Sequence, residues 1–234
     1  MRGGTKLLKL KPMKYIFLSL VFLASLPALG ASSIDTNKFW SEARVFVTSN
    51  GLASPPDDLN ALTAGDSVQS LSRVTGFGLE GNFNVARFMK AGLRGGGRWT
   101  KEESTVATNT NAFLAVQQGW GGAIVRFPIL REDLLQFDLF GEAGASVSRI
   151  DVSTQSNGSG TFTKSFNPYE RAGSSFGLGW STFFIFVEGG YQWERLEAMS
   201  YSGSLTNSIS SINLSGTYAA AGFIISGIPG FLAK

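Results

Sequence analysis

An all-β chain, folded as an eight-stranded antiparallel up-and-down barrel, is the architecture this sequence predicts. Three observations predict it. Apolar and polar residues alternate with period two through eight stretches. The connections between those stretches alternate between long and short. An export signal is followed by no apolar run that would cross a membrane as a helix.

The export signal comes first. Lys14 precedes an apolar run from Tyr15 to Leu26, then Pro27 and the small-residue exit Ala28-Leu29-Gly30. A positive n-region, an apolar h-region and an A-x-A-like cleavage site make residues 1–30 a cleaved signal peptide, cut before Ala31. Met13 is a second candidate start, because Met13-Lys14-Tyr15 opens a compact signal by itself. Residues 31–234 then form one β-barrel domain with strands over about residues 39–226.

Cleavage changes the charge argument. The whole chain carries 20 Lys and Arg against 17 Asp and Glu, a net charge of +3. Arg2, Lys6, Lys9, Lys11 and Lys14 leave with the signal, so 15 cations face 17 acids, a balance of −2. That argues against a nucleic-acid partner. The chain has no cysteine and no histidine. A disulfide framework, a lipidated cysteine, a Ser-His-acid triad and metal sites built on His or Cys are therefore excluded. With 29 glycines and 12% aromatic residues, the composition suits curved strands with aromatic girdles, although a soluble exported β-barrel would share it.

The strands follow in order. The first is placed at Phe39–Ser49, where Glu42 and Arg44 sit among poorly sorted apolar residues. The second covers Ser67–Glu80, the third Phe88–Glu102, the fourth Asn111–Phe127 and the fifth Leu134–Arg149. The sixth covers Ala172–Ser181, the seventh Phe183–Glu197 and the eighth Ser208–Ser226. Alternation is cleanest in the fifth and seventh. Leu135, Phe137 and Leu139 share a face opposite Asp138 and Glu142. Ile185, Val187, Tyr191 and Trp193 oppose Glu188 and Glu194. In the third, Leu93 and Trp99 oppose Lys90, Arg94 and Arg98.

Connection lengths give the orientation. Long segments fall at the Pro55-Pro56-Asp57-Asp58 region, at Ser104–Thr110, at Ile150–Arg171 and at Ala198–Asn207. Short turns fall at Asn82–Arg87, Pro128–Asp133 and Ser181-Thr182. Short periplasmic turns and longer external loops are the pattern of transmembrane barrels in an outer membrane. An even strand count returns both ends of the chain to the periplasmic side.

These residues resemble the small eight-stranded outer-membrane β-barrel family, similar to the OmpA transmembrane domain and OmpX. The resemblance spans roughly residues 38–226. It rests on Gly76-Phe77-Gly78-Leu79-Glu80-Gly81-Asn82, Ala91-Gly92-Leu93-Arg94-Gly95, Phe140-Gly141-Glu142-Ala143-Gly144, Val187-Glu188-Gly189-Gly190-Tyr191 and Leu214-Ser215-Gly216-Thr217-Tyr218. Family members commonly end on an aromatic residue, whereas this chain ends Phe231-Leu232-Ala233-Lys234 beyond a Gly227–Gly230 break. The resemblance implies a structural or surface-interaction protein in the outer membrane of a Gram-negative bacterium.

The candidate sites are weighed on that frame. Gly76, Gly78 and Gly81 spell G-x-G-x-x-G, but the motif lies in an alternating strand with no helix after it, so no dinucleotide cofactor is expected. Lys90, Arg94, Arg98, Asp138, Glu142, Glu188 and Glu194 are expected to form a structural ionic network in the lumen, because eight strands leave room only for side chains. Leu93, Trp99, Leu135, Phe137, Leu139, Ile185, Val187, Tyr191 and Trp193 are expected to face lipid. Asp57, Asp58 and Asp66 lack a calcium-loop spacing and are expected to solvate their loop, without a resident metal. Ser153–Ser165 is expected to be a flexible external loop, and its Asn157-Gly158-Ser159 sequon carries no meaning in most bacterial envelopes.

The expected function is non-enzymatic: a monomer held by outer-membrane lipids, with envelope-integrity or adhesive roles through an unidentified surface ligand at its external loops. No cofactor is expected. A narrow channel or carrier for small or apolar solutes is the alternative, and a soluble exported ligand-binding barrel the further one. An enzyme built on Asp138 and Glu142 is the least supported reading.

Overall fold

The computed structural model describes residues 40–53, 57–86, 88–106, 111–132, 134–155, 158–180, 182–205, 209 and 211–229. The signal-peptide expectation and the C-terminal Phe231-Leu232-Ala233-Lys234 lie outside the described residues. Eight long strands form the ring: β1 (Trp40–Leu52), β2 (Arg73–Ala86), β3 (Met89–Glu103), β4 (Phe113–Arg131), β5 (Leu135–Thr154), β6 (Gly158–Trp180), β7 (Phe183–Glu197) and, after two short strands, β10 (Gly216–Pro229). Each pairs antiparallel with its chain neighbour, β7 pairs with β10, and β10 closes on β1 from Trp40↔Pro229 to Leu52↔Gly216. Closure removes both edges, which is what a sheet needs where no water is available to satisfy its backbone.

The period-two pattern sorts side chains to two surfaces. In β7, Phe184, Phe186, Glu188, Gln192 and Glu194 are buried, while Ile185, Val187 and Trp193 are exposed. Val187 is 56% exposed and Leu93 on β3 is 73% exposed, values that a soluble core residue would not show. Phe183, Trp180 and Phe223 stand at the end with short turns, and Trp99, Tyr191 and Trp193 stand nearer the other end. From Phe183 to Trp193 the strand rises about 33 Å, or about 25 Å along the axis at a tilt of about 40°, the height of the apolar band in transmembrane barrels.

Inside, small residues make room for large ones. Gly78 on β2 faces the lumen, and a Cβ there would run into the ring of Phe46 and lie 3.1 Å from Trp120. Phe46 and Trp120 in turn pack at 6.4 Å between ring centroids. Glycine at this position is a packing requirement imposed by close approach.

Several boundaries differ from the sequence expectation, each for a local reason. Among the described residues, the segment placed as the longest loop, Ile150–Arg171, belongs to a β5–β6 hairpin, with Ile150↔Phe162 and Val152↔Gly160 paired. Its Ser and Thr residues read as loop, yet Ile150, Val152 and Phe162 alternate with them and are buried. Ser153, Thr154 and Gly158–Lys164 are therefore paired strand and not a flexible loop, while Asn157 of the sequon lies outside the described residues. β4 continues through Pro128 to Arg131, because the register shifts between Pro128 and Leu130 and a proline is tolerated at such a bulge.

The remaining differences lie at the two ends of the closing seam. β10 runs past Ser226 to Pro229: Glu42 pairs with Ser226 and Ser41 with Ile228, so Gly227 is the extra residue of a bulge and not a break. β2 starts at Arg73, six residues after the expected Ser67. The preceding segment forms a helix, α1 (Asp57–Thr63), and a short 3-10 turn, with Ser67 at φ +54°. The Ala198–Asn207 segment contains β8 (Ser200–Gly203), which extends the sheet beside β6, and β9 (Ser211–Asn213) pairs with β7.

Together these elements build a crown at the end opposite the short turns. Leu59 and Leu62 of α1, Leu71, Leu114, Val116, Ile150, Val152, Phe162, Leu196, Ile212 and Leu214 bury one another in a second apolar cluster. The longer end of a transmembrane barrel is its external end, which is where the crown is expected.

Two substitutions test this placement. Val187→Arg is expected to lower the yield of membrane-assembled barrel well below that of Ser159→Arg, because an Arg near the bilayer midplane costs about 2–4 kcal/mol while Ser159 is solvated. Heat-dependent gel mobility reads the folded fraction, and equal yields would contradict the topology. Gly78→Leu is expected to destabilise the barrel by about 1–3 kcal/mol through overpacking against Phe46, measured by urea unfolding from lipid vesicles.

Candidate functional site

The lumen gathers the chemistry. Among the described residues, Arg44, Lys90, Arg94, Arg98, Arg126 and Arg171 are buried there, as are Glu42, Glu80, Asp138, Glu142, Glu188 and Glu194. Six cations meet six carboxylates, so the interior is neutral in sum. Inward alternation places them: Glu80 lies between Gly78 and Asn82 on one face of β2, and Lys90, Arg94 and Arg98 recur every fourth residue on β3.

At the short-turn end, Lys90 donates to Glu42 and Arg44 donates to Glu42 at 2.6 Å. Arg44 also reaches Asp138 at 2.7 Å and Ser175 at 2.9 Å. The middle is a closed circuit. Arg126 grips Glu80 with two bonds, 2.5 and 2.7 Å, and bonds Glu188 at 2.7 Å. Arg94 bonds the other Glu188 oxygen at 2.6 Å, donates to the Tyr218 hydroxyl, and lies 3.4 Å from Glu80. A two-pronged Arg–carboxylate geometry is the strong form of the interaction.

Toward the crown, Glu142 accepts from Tyr169 at 2.5 Å and from Arg171 at 3.3 Å. Arg98 donates to Glu194 at 2.8 Å and to Gln192 at 2.7 Å. Gln118 and Ser146 donate to the second Glu194 oxygen at 2.6 and 2.5 Å. Aromatic faces complete the cation shells: Arg94 sits 4.2 Å over Phe46, Arg171 4.2 Å over Trp120, and Arg126 5.2 Å over Phe140.

The structure therefore brings all seven expected lumenal residues into one connected interior. Asp138 and Glu142, i and i+4 on β5, do not act on a common partner: one is held by Arg44 and the other by Arg171 and Tyr169. The nine residues expected to face lipid all point outward; Leu135, Phe137 and Tyr191 are half-buried and the others exposed.

Several members of the interior escaped sequence reasoning. Glu42 and Arg44 looked poorly sorted, yet both are buried and Arg44 is a hub. Glu80 and Arg126 carried a signal, since each sits on the even-numbered face of its strand beside Asn82 and Ile124. Arg171 and Tyr169 carried none once Ile150–Arg171 was read as loop.

Asp66 is buried and not loop-solvating, and it accepts the Gln155 backbone N–H at 3.1 Å. The Asp57 and Asp58 side chains lie outside the described residues, and among the described residues no group of three metal-ligating side chains comes together. The G-x-G-x-x-G glycines all lie within β2. On the hairpin above the apolar band, burial raises the Asp151 pKa, but hydrogen bonds from Arg149 and Thr161 and the Arg149 charge outweigh it and hold the carboxyl below its ordinary value.

One comparison measures what the interior contributes. Arg44→Met is expected to destabilise the barrel by about 3–5 kcal/mol, because it strands the Asp138 and Glu42 charges away from water. Arg195→Met removes a pair with Glu197 that is exposed on both sides and is expected to cost no more than about 1 kcal/mol. Unfolding in urea from vesicles compares the two, and similar losses would show the lumenal charges to be hydrated.

The sequence matches no family profile and no curated protein at a level that indicates relatedness. Solved structures do resemble the fold. The outer membrane protein OprG from Pseudomonas aeruginosa superposes with a TM-score of 0.52 at 10% identity, over 80% of this chain and 95% of that one. AlkL, an outer membrane protein solved in lipid bilayers, gives 0.47 at 12% identity over 87% and 97%. Ail, the attachment invasion locus protein of Yersinia pestis, solved with the heparin analogue sucrose octasulfate, gives 0.45 at 12% over 79% and 99%. The OprG superposition, the closed eight-stranded ring and the outward apolar band agree. By fold, the chain is a closed eight-stranded antiparallel β-barrel of the kind seen in the small outer-membrane protein OprG.

Proposed function

We propose that this protein is a sealed, non-enzymatic surface barrel. The transmembrane ring is an anchor, and the external crown is the part that meets a ligand outside the cell. The observation that carries this reading is the crown itself. The external ends of β4, β5 and β6 continue beyond the apolar band and, with α1, β8 and β9, bury a separate apolar cluster. A folded platform of this kind presents a fixed surface, where a set of unstructured loops would have to be ordered on binding.

The lumen supports the same reading. Its charges are matched in number, paired at short distances and interleaved with aromatic rings, which argues for a structural ionic network that leaves no aqueous path. Above it the apolar cluster closes the external mouth. Val187, Leu93, Ile185, Leu139, Trp99 and their neighbours then meet outer-membrane lipid, and one chain suffices because the ring closes on itself.

Reconstitution into planar bilayers tests the seal: the barrel is expected to show no stable conductance, and steady single-channel steps would overturn the sealed reading. The crown is tested by joining Asp151 to Thr161 through Asn-Gly, which removes the hairpin tip at a paired position. Barrels in lipid nanodiscs probed against sulfated and neutral polysaccharides are expected to bind through the crown, with loss of binding in the shortened variant. Equal binding by the two would place recognition elsewhere.

A further inference from the structure

The outer wall of the barrel is not a uniform apolar band. On β3 and β4 the outward positions Gly95, Gly97, Gly119 and Gly121 form two adjacent cross-strand pairs, Gly97↔Gly119 and Gly95↔Gly121. Over Gly97 and Gly119 lies an open groove of about 590 Å3. Phe77 and Trp99, packed edge to face with centroids 5.9 Å apart, make one wall, and Val147 on β5 makes the other. The groove is continuous with the lipid-facing surface and is two strands wide.

Its external end is chemically different. Trp99, Gln117 and Arg149 lie in one cross-strand row, and Lys101 lies one outward position above Trp99. Trp99 belongs to the external aromatic belt, so Lys101 and Arg149 stand at headgroup level. Lys101 is 2.6 Å from Glu103 and Arg149 is 2.9 Å from Asp151. Both cations are more than half exposed, and exposed pairs of this kind hold their partners weakly, leaving the cations available to a stronger anion.

We propose that this groove is a binding site for one phosphorylated lipid of the outer leaflet. An acyl chain lies on the glycine floor between Phe77 and Val147, and a headgroup phosphate is held by Lys101 and Arg149, with Gln117 between them. The occupant follows from the position. The floor of the groove faces the hydrocarbon of the membrane, its volume matches part of a lipid and not a folded partner, and its polar end is cationic where lipid headgroups are anionic. The site is independent of whatever the crown binds.

Two glycines make a clean test. A Cβ on Gly119 meets nothing within 4 Å, so Gly119→Leu fills the groove without disturbing the wall. Gly81, on β2 outside the groove, is equally free of contact, and Gly81→Leu is the matched control. Native mass spectrometry of the whole barrel, released from micelles containing diphosphorylated lipid A, counts retained lipid. Wild type and Gly81→Leu are expected to keep one lipid, and Gly119→Leu to retain it about tenfold less or worse. The Lys101→Ala, Arg149→Ala double variant is expected to lose the preference for diphosphorylated over dephosphorylated lipid A, a preference of about tenfold or more from two interfacial cations. Equal retention by Gly119→Leu and Gly81→Leu would overturn the groove. Equal retention of the two lipids by wild type would overturn the phosphate contact.

Discussion

Closure of the ring is the constraint from which the rest of this structure follows. Within a bilayer an unpaired backbone group costs several kcal/mol, so the pairing of β10 with β1 is a condition for crossing the membrane at all. Eight strands then enclose a space that side chains fill. Charges on the inner face have nowhere to find bulk water, and every cation must find a carboxylate. The six-to-six balance and the Arg126–Glu80–Arg94–Glu188 circuit are consequences of that geometry.

The same confinement explains the pairing of very small with very large residues. Gly78 yields its side-chain volume to Phe46, and Gly144 leaves its place to Tyr169, whose hydroxyl would stand 2.8 Å from a Cβ there. Arginines are stacked on those rings, so the interior is a layered solid of guanidinium, carboxylate and aromatic groups. On the outer wall glycine has another effect. With no side chain to fill it, the surface over Gly97 and Gly119 is hollow, and the aromatic and cationic residues around it give the hollow a direction.

Much of the ring was legible in the chain. β7 runs over Phe183–Glu197 as its alternation indicates, since Ile185, Val187 and Trp193 oppose Phe186, Glu188 and Glu194 without interruption. Legibility failed where composition and periodicity disagreed. Ser, Thr and Asn between Ile150 and Arg171 suggested a loop, but Ile150, Val152 and Phe162 alternate within it and are buried by the crown. Arg171 and Tyr169 were hidden by that reading. Glu42 and Arg44 were visible but unsorted, because Val45 and Val47 outside and Phe46 inside are all apolar, and an inner face that mixes charge with aromatics blurs the period.

By itself the sequence determined the all-β class and the identity of the barrel's two faces, because these depend only on composition and period. The tertiary structure decided which charge meets which, how far the strands extend outside the membrane, and where the outer wall is hollow. Those properties arise from cross-strand register. Glu80 meets Arg126 across 46 residues and Arg94 meets Glu188 across 94. Neighbours so distant in the chain are set by the stagger of a closed ring and not by any local pattern.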